Sequence, residues 1–459
     1  MKKIFSILCF FISAAVFSEG VEKFSLSNGI PVYVKADSSS RMCAYYLVIK
    51  GGVHHLTAET SGLEQAAFDL MKMGSSNYSY SDRNSFSYET QGSFTSYCIE
   101  DGSVLGFVCI DKHLKPSLEI LSDTFIYPSF NEREYKLLMQ SYREAIAGEM
   151  NEPASLLNYY TDQVIYAGHP FAAKTYVTQD SLENLTLPAI KNHYKNLLDS
   201  RRISIVVCGA VKSDKVLLLS EKYFGSLKPL PSVLPSDSVP EISVSGLPMV
   251  FVHQSISSGG HATRVFKSPE VTSPDYPVSR IVCDIYSDIL FNIVREKYGV
   301  CYTPTSGVAS GKAPYGEDYF YRVLDFEGLN ASLKEAEDFM KNGLIPSGKN
   351  KDGTWKTDRL EDRLEGYKNS YVNKKFATQA SVSGVASRIT AGLLQFGDIE
   401  AVDKLTIMAK ACTANDVLRV YKNWWLSDNF RWFAVTNPES EDKVMDILLK
   451  LSEQKSAEK

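Results

Sequence analysis

The chain has 459 residues, 44% of them hydrophobic and 22% charged, with 49 Lys and Arg set against 54 Asp and Glu. That is enough chain for several cores at about 100–200 residues per domain, and the apolar content excludes a largely disordered polypeptide. The net charge of −5 carries no basic stripe, which excludes nucleic acid as the expected partner.

Met1 to Ser18 reads as a secretory signal. Lys2 and Lys3 form its charged start, Ile4 to Val16 an apolar core too short to span a bilayer, and the cleavage is expected after Ser18. No later stretch is apolar enough to cross a membrane, so the mature chain is expected in the periplasm or outside the cell. Seven cysteines follow Cys9, an odd number with scattered spacing and no CxxC pair. Buried free thiols are the expectation, with a single disulfide left open.

Val21 to Lys50 alternates as strands do, with Asn28-Gly29 as a hairpin turn, and Gly51-Gly52 leads into a loop. His54 and His55 lie in that loop with Glu59 nearby. Adjacent side chains diverge and a loop fixes no coordination geometry, so these read as surface histidines rather than metal ligands. Ser61 to Ser75, SGLEQAAFDLMKMGS, places Leu63, Ala66, Ala67, Leu70 and Met71 at helical spacing. Ser61 with Glu64 suggests a capping box and Gly74 a stop, giving a helix over 61–73. Gln65 and Asp69 stand four apart and are therefore neighbours on its surface.

Phe86 to Asp111 reads as a strand pair, with small residues at Gly92, Ser93 and Ser96. Leu114 to Phe125 and Glu132 to Glu149 read as helices on either side of Pro128-Ser129-Phe130. His169-Pro170-Phe171 marks a structural turn. Arg202 to Val211 is a strand, followed by a helix closing on Tyr223-Phe224-Gly225. Lys228 to Ser243 is dense in Pro and Ser and reads as a linker. Val278 to Tyr298 then runs apolar at helical spacing, Gly299 ends it, and a strand follows. Ser347 to Thr357 is a polar loop without a chemical signature.

An internal repeat divides the chain. Tyr194-Lys195-Asn196 recurs as Tyr421-Lys422-Asn423, and Ser213-Asp214-Lys215-Val216 as Glu441-Asp442-Lys443-Val444, at offsets of 227 and 228. A strand lies between the members of each set. Two copies of one α+β unit of about 210 residues are therefore expected, each a mostly antiparallel sheet with helices packed on one face.

The frame Gly62-Leu63 and Gly74-Ser75, the His-Pro turn, the Tyr-Phe-Gly close and the run from Arg295-Glu296 through Gly299 to Tyr302 together resemble the insulinase/pitrilysin metallopeptidases. The resemblance covers about Phe24 to Lys450. In that family an inverted motif supplies two His zinc ligands and a Glu base from one helix, and a further Glu from a later helix. Here those positions are Gln65, Phe68, Asp69 and Ala145, with Glu144 one residue away from the last. An amide ligates zinc poorly, a phenyl ring takes no proton, and a lone carboxylate makes no site. The resemblance thus implies a degenerate zinc helix, no catalytic residues in the isolated chain and no metal of its own. It also implies a retained substrate-binding pair, Arg295 as a backbone-holding fork and Tyr302 as an oxyanion donor.

The implied layout is a signal peptide over 1–18, a first metallopeptidase-like domain over 19–227, a linker over 228–243 and a second such domain over 244–459. Short members of the family work as pairs of two-domain chains. The expectation is an exported Arg/Tyr subunit that meets a zinc-bearing homologous partner to hydrolyse peptides. The other reading is a non-enzymatic peptide-binding or assembly protein, perhaps a homodimer. A rebuilt metal site from Asp69, Glu144, His54 or His55 is the third.

Overall fold

The structure, a computed structural model, describes residues 20–231, 234, 238–351 and 354–457. The expected signal segment and part of the linker fall outside them. From the first half come strands β1 (Glu22–Ser25), β2 (Pro31–Ala36) and β3 (Met42–Lys50), then helices α1 (Leu63–Met71) and α2 (Tyr80–Thr90). Strands β4 (Ser93–Ile99) and β5 (Gly102–Ile110) follow, then α3 (Leu114–Ile126), α4 (Glu132–Met150), α5 (Pro153–Ile165), α6 (Leu187–Leu197), β6 (Ile203–Gly209) and α7 (Ser213–Phe224). The sheet order is β1-β2-β6-β3-β5-β4. Within it β2 and β6 run parallel, and the other pairings are antiparallel.

The second half contributes β7 (Met249–Val252), β8 (Gly260–Lys267) and α8 (Asp275–Leu290), which runs on as a wider π-helical turn over Phe291–Lys297. Then come β9 (Cys301–Val308), β10 (Tyr315–Val323), α9 (Phe326–Lys341), a side hairpin of β11 (Leu344–Lys349) and β12 (Trp355–Arg359), α10 (Leu360–Thr378), α11 (Val382–Phe396), α12 (Ala401–Ala411), α13 (Ala414–Trp424), β13 (Phe430–Thr436) and α14 (Glu441–Ala457). Its main sheet is ordered β7-β13-β8-β10-β9, again with one parallel pair, β7 with β13, next to antiparallel neighbours. The repeat is visible here: α6-β6-α7 and α13-β13-α14 follow the same order, and β6 and β13 start 227 residues apart.

Two expectations about the elements themselves fail: Ser347 to Thr357, expected as one polar loop, begins in β11 and ends in β12, and the segment before β4 is not a strand. Residues 86–90 belong to α2, not to a strand. Ser79 caps that helix by accepting from the Asp82 backbone N–H, and the Asp82 carboxylate returns a bond to Ser79. The reciprocal cap outweighs the strand-like spacing of Phe86 and Tyr88.

Each sheet buries an apolar face under its helices. Leu47, Phe68, Phe107, Leu118 and Ile205 centre the first core, and Phe266, Ile285, Phe320, Trp425 and Trp432 the second. The halves are welded by a third cluster, in which Leu157, Ile165 and Phe171 meet Val265, Phe433 and Val435. Two phenols tie the same seam: Tyr166 donates to Ala313 O at 2.9 Å, and Tyr315 donates to Asp162 at 2.7 Å. The end of the linker is anchored in this seam, where Ile242, and Val244 just beyond it, are buried. The opposite face of the first sheet is covered from the second half: Ala386, Ile389 and Leu394 of α11 lie against Tyr46, Val48, Val104 and Val206.

Candidate functional site

Helix α1 begins at Gly62, whose φ of 73° is left-handed, and a Cβ there would lie 2.3 Å from Val177 N. Only glycine fits that approach. The expected capping box does not form. Ser61 Oγ instead donates to Ala58 O at 2.7 Å and accepts from Lys174 N at 3.0 Å. Glu64 turns inward and is buried. It accepts from Ser103, lies 3.0 Å from His193 Nε2 and 3.6 Å from Arg202 Nη2. Burial alone would push the Glu64 carboxyl up. The His193 hydrogen bond, the charges of His193 and Arg202 and the Ser103 hydroxyl outweigh it and hold the group below its ordinary value.

The three working positions are closed to metal chemistry by their neighbours. Gln65 Nε2 donates to Asp69 Oδ2 at 2.9 Å, across one helical turn as the spacing predicts. Tyr142 of α4 donates to the same oxygen at 2.7 Å. Lys72 Nζ stands 2.6 Å from Asp69 Oδ1. An amide, a phenol and an ammonium thus take both carboxylate oxygens of Asp69. Phe68 is 0% exposed within the first core, so a group at its position has no access to bulk water. Ala145 lies exposed one turn past Tyr142, and the neighbouring Glu144 is exposed and accepts from Gln140 at 2.7 Å. Zinc does not fit Gln65, Phe68 and Asp69, which offer no imidazole and a single carboxylate whose oxygens already face Gln65, Tyr142 and Lys72. Among the described residues, no three His, Cys, Asp or Glu side chains are grouped to hold a metal ion.

The loop histidines are not on the surface as expected. Both lie at the end of the 3-10 turn Gly52–His55 and are only partly exposed. His54 packs edge-on against Phe171 at 5.7 Å and points Nε2 toward Asp101 at 3.6 Å, while Lys312 reaches Asp101 from the second half at 3.2 Å. His55 diverges from it, as the spacing implied. Burial, with the nearby Arg202 charge, pushes the His55 imidazole down to about 4.

The second half holds a different arrangement. Arg295 lies in the π-helical turn, a widened geometry that re-aims side chains at its end. Its guanidinium sits 4.6 Å from the Tyr302 ring centroid and 4.9 Å from that of Phe291, between two aromatic faces. Glu296 approaches Arg295 Nε at 3.3 Å. Tyr302 stands on β9, the edge of its sheet, and is 54% exposed. The edge strand of the first sheet, β4, occupies the equivalent position in its own half. The predicted residues therefore fall into two clusters, one per half. Sequence reasoning missed Lys72, Tyr142 and Phe291. The i,i+3 spacing of Lys72 from Asp69 was a usable signal, and so was the i,i+4 spacing of Phe291 from Arg295. Tyr142 comes from a distant helix and had none.

Searches among known proteins agree with this architecture. A protease from Helicobacter pylori superposes with a TM-score of 0.77 at 16% identity, covering 91% of this chain and 99% of that one. The periplasmic protease PqqL from Escherichia coli superposes with a TM-score of 0.75 at 16% identity, over 95% of this chain and 49% of its own. The fold is thus that of two-halved peptidases. The family described as "Peptidase M16 inactive domain" matches residues 184–345. An uncharacterized zinc protease, YmxG of Bacillus subtilis (strain 168), is 20% identical over 206 residues. That match spans 45% of this chain and 50% of the relative's length. Over part of its length the chain is thus similar in sequence to M16 peptidases, the insulinase/pitrilysin type, and over most of its length it shares the fold of such proteases. Among the described residues, no helix is long and apolar enough to cross a membrane.

Proposed function

We propose that this chain is the Arg/Tyr subunit of an exported two-chain metallopeptidase, without catalysis of its own. Arg295 and Tyr302 would bind the substrate backbone and the oxyanion at a zinc site borne by a homologous partner. The layout behind this reading is a signal over 1–18, domains over 19–227 and 244–459, and a linker over 228–243. The observation that carries it is the contrast in availability. Tyr302 holds its ring against Arg295 and leaves an exposed side chain on an edge strand, where an extended peptide can add by backbone pairing. Asp69 and Gln65, by comparison, are occupied with each other, Tyr142 and Lys72. Export is supported by the N-terminal pattern and by a structural neighbour described as periplasmic.

The test is reconstitution. The isolated chain should bind no zinc and cleave no peptide, and adding the zinc-bearing homologue should produce cleavage. Tyr302→Phe should then lower kcat at the partner's site by about 100–1,000-fold, the loss of one oxyanion donor. An unchanged rate removes Tyr302 from the mechanism. The second reading, a peptide-binding or assembly protein, rests on the self-satisfied Asp69 network. A stable homodimer that co-purifies with no zinc-bearing chain would favour it.

A further inference from the structure

Cys43 on β3 and Cys109 on β5 stand directly opposite each other in the antiparallel ladder. Both side chains face the helix-covered core of the first half and are buried. Their sulfurs are 3.5 Å apart. Directly opposed residues in antiparallel strands have Cα atoms about 4.5 or 5.5 Å apart, according to the type of pair, and both spacings fall inside the range a disulfide spans. No other two of the described cysteines face each other across a strand pair: Cys98 pairs with Ser103, Cys208 with Ala44 and Cys301 with Val323.

We infer that Cys43 and Cys109 are a disulfide-forming pair, closed when the chain folds in the presence of a disulfide oxidant. The chemistry is two thiol–disulfide exchanges. One cysteine, as thiolate, attacks an oxidant of the glutathione-disulfide class, forming a mixed disulfide and releasing one thiolate. The other cysteine, as thiolate, attacks the protein sulfur of that mixed disulfide and expels the second thiolate. Two protons leave the cysteine thiols, and two electrons pass to the oxidant, which ends as two thiols. Since both sulfurs are sealed in the finished core, the exchange belongs to the stage before the helices close over the sheet. The bond would bridge residues 66 apart and staple β3 to β5. Strand β5 in turn holds β4, the open edge of that sheet.

The experiment refolds the reduced, denatured full chain in a glutathione redox buffer, alkylates it after denaturation without reductant, and maps the tryptic peptides. The expected result is a linked pair carrying Cys43 and Cys109 unalkylated, with Cys98, Cys208, Cys283, Cys301 and Cys412 alkylated. Reductant should then lower the Tm of the refolded chain by about 5 °C, as loss of a long-loop crosslink does. The same reductant should not shift the Tm of Cys43→Ala/Cys109→Ala. Alkylation of Cys43 and Cys109 in the natively refolded chain, or a bond joining either to a third cysteine, overturns the inference. The peptide map decides even where the double variant does not fold.

Discussion

The two halves share a strand order and a pairing sense, yet they treat polar side chains in opposite ways. In the first half the polar positions of α1 face one another. Gln65, Lys72 and Tyr142 all spend their donors on Asp69. In the second half Arg295 lies against aromatic faces, which attract its charge without taking a hydrogen bond, while its Nε approaches Glu296 at 3.3 Å. A polar cluster that satisfies itself becomes a structural brace. One propped by aromatic rings keeps donors for something else. The inner ion clusters differ as well. Arg264 is enclosed between Asp318 and Glu337 in the second core. Burial alone would lower it, and the two carboxylates instead hold it well above its ordinary range. In the first core Glu64 is shared by His193, Arg202 and Ser103.

Breaking the second-half cluster should have the largest effect. Asp318→Ala leaves Arg264 with one of its two carboxylates, and urea unfolding should show a loss of about 3–5 kcal/mol. Glu64→Ala is the matching cut in the first half and should lose less, about 3 kcal/mol, because Arg202 keeps its bonds to Lys50 O at 2.7 Å and Asn196 O at 3.0 Å. If the order reverses, the first-half cluster is the tighter one.

A pH titration sharpens the same contrast. His55, which faces Arg202, Glu64, His193 and His54, is held neutral well below its unfolded value of 6.5. A lowered pKa in the folded state means that the unfolded chain binds the proton first as pH falls. Stability from this group is therefore complete above 6.5 and drains away down to about 4. The urea midpoint should fall across that window, and His55→Leu should flatten the fall. Glu64 adds a further loss beginning near 4.5 and continuing below it, since its carboxyl too is depressed.

Smaller still is Tyr142→Phe, which removes one hydrogen bond to a carboxylate and should lower stability by about 1–2 kcal/mol in the same assay. Smallest is Tyr302→Phe. An exposed hydroxyl on an edge strand should leave stability within about 0.5 kcal/mol, so that any kinetic loss on reconstitution reports function and not folding.

Much of this was legible in the residues themselves. The α6-β6-α7 and α13-β13-α14 repeat followed from two short matches at nearly the same offset, because helix, strand and helix keep their spacing when a unit is duplicated. The α1 stripe was legible because Leu63, Ala66, Ala67, Leu70 and Met71 all pack inward. Glu64 was misread, since a Glu three residues after a Ser suits a cap as well as a buried ion cluster, and only His193 and Arg202 decide between them. The place of the loop histidines was hidden for the same reason: Phe171, Asp101 and Lys312 come from distant parts of the chain. The partnership of Asp69 with Tyr142, 73 residues apart, is set by how α4 crosses α1, which no local pattern encodes.

Helix α11 carries a consequence for the whole molecule. It grows from the second half but serves as the rear wall of the first sheet, and removing it would wet Tyr46, Val48, Val104 and Val206 at once. The first half is therefore not a detachable module. Heating should melt both sheets in a single event, and a polypeptide cut short at Leu227 should clump through its bared surface instead of folding.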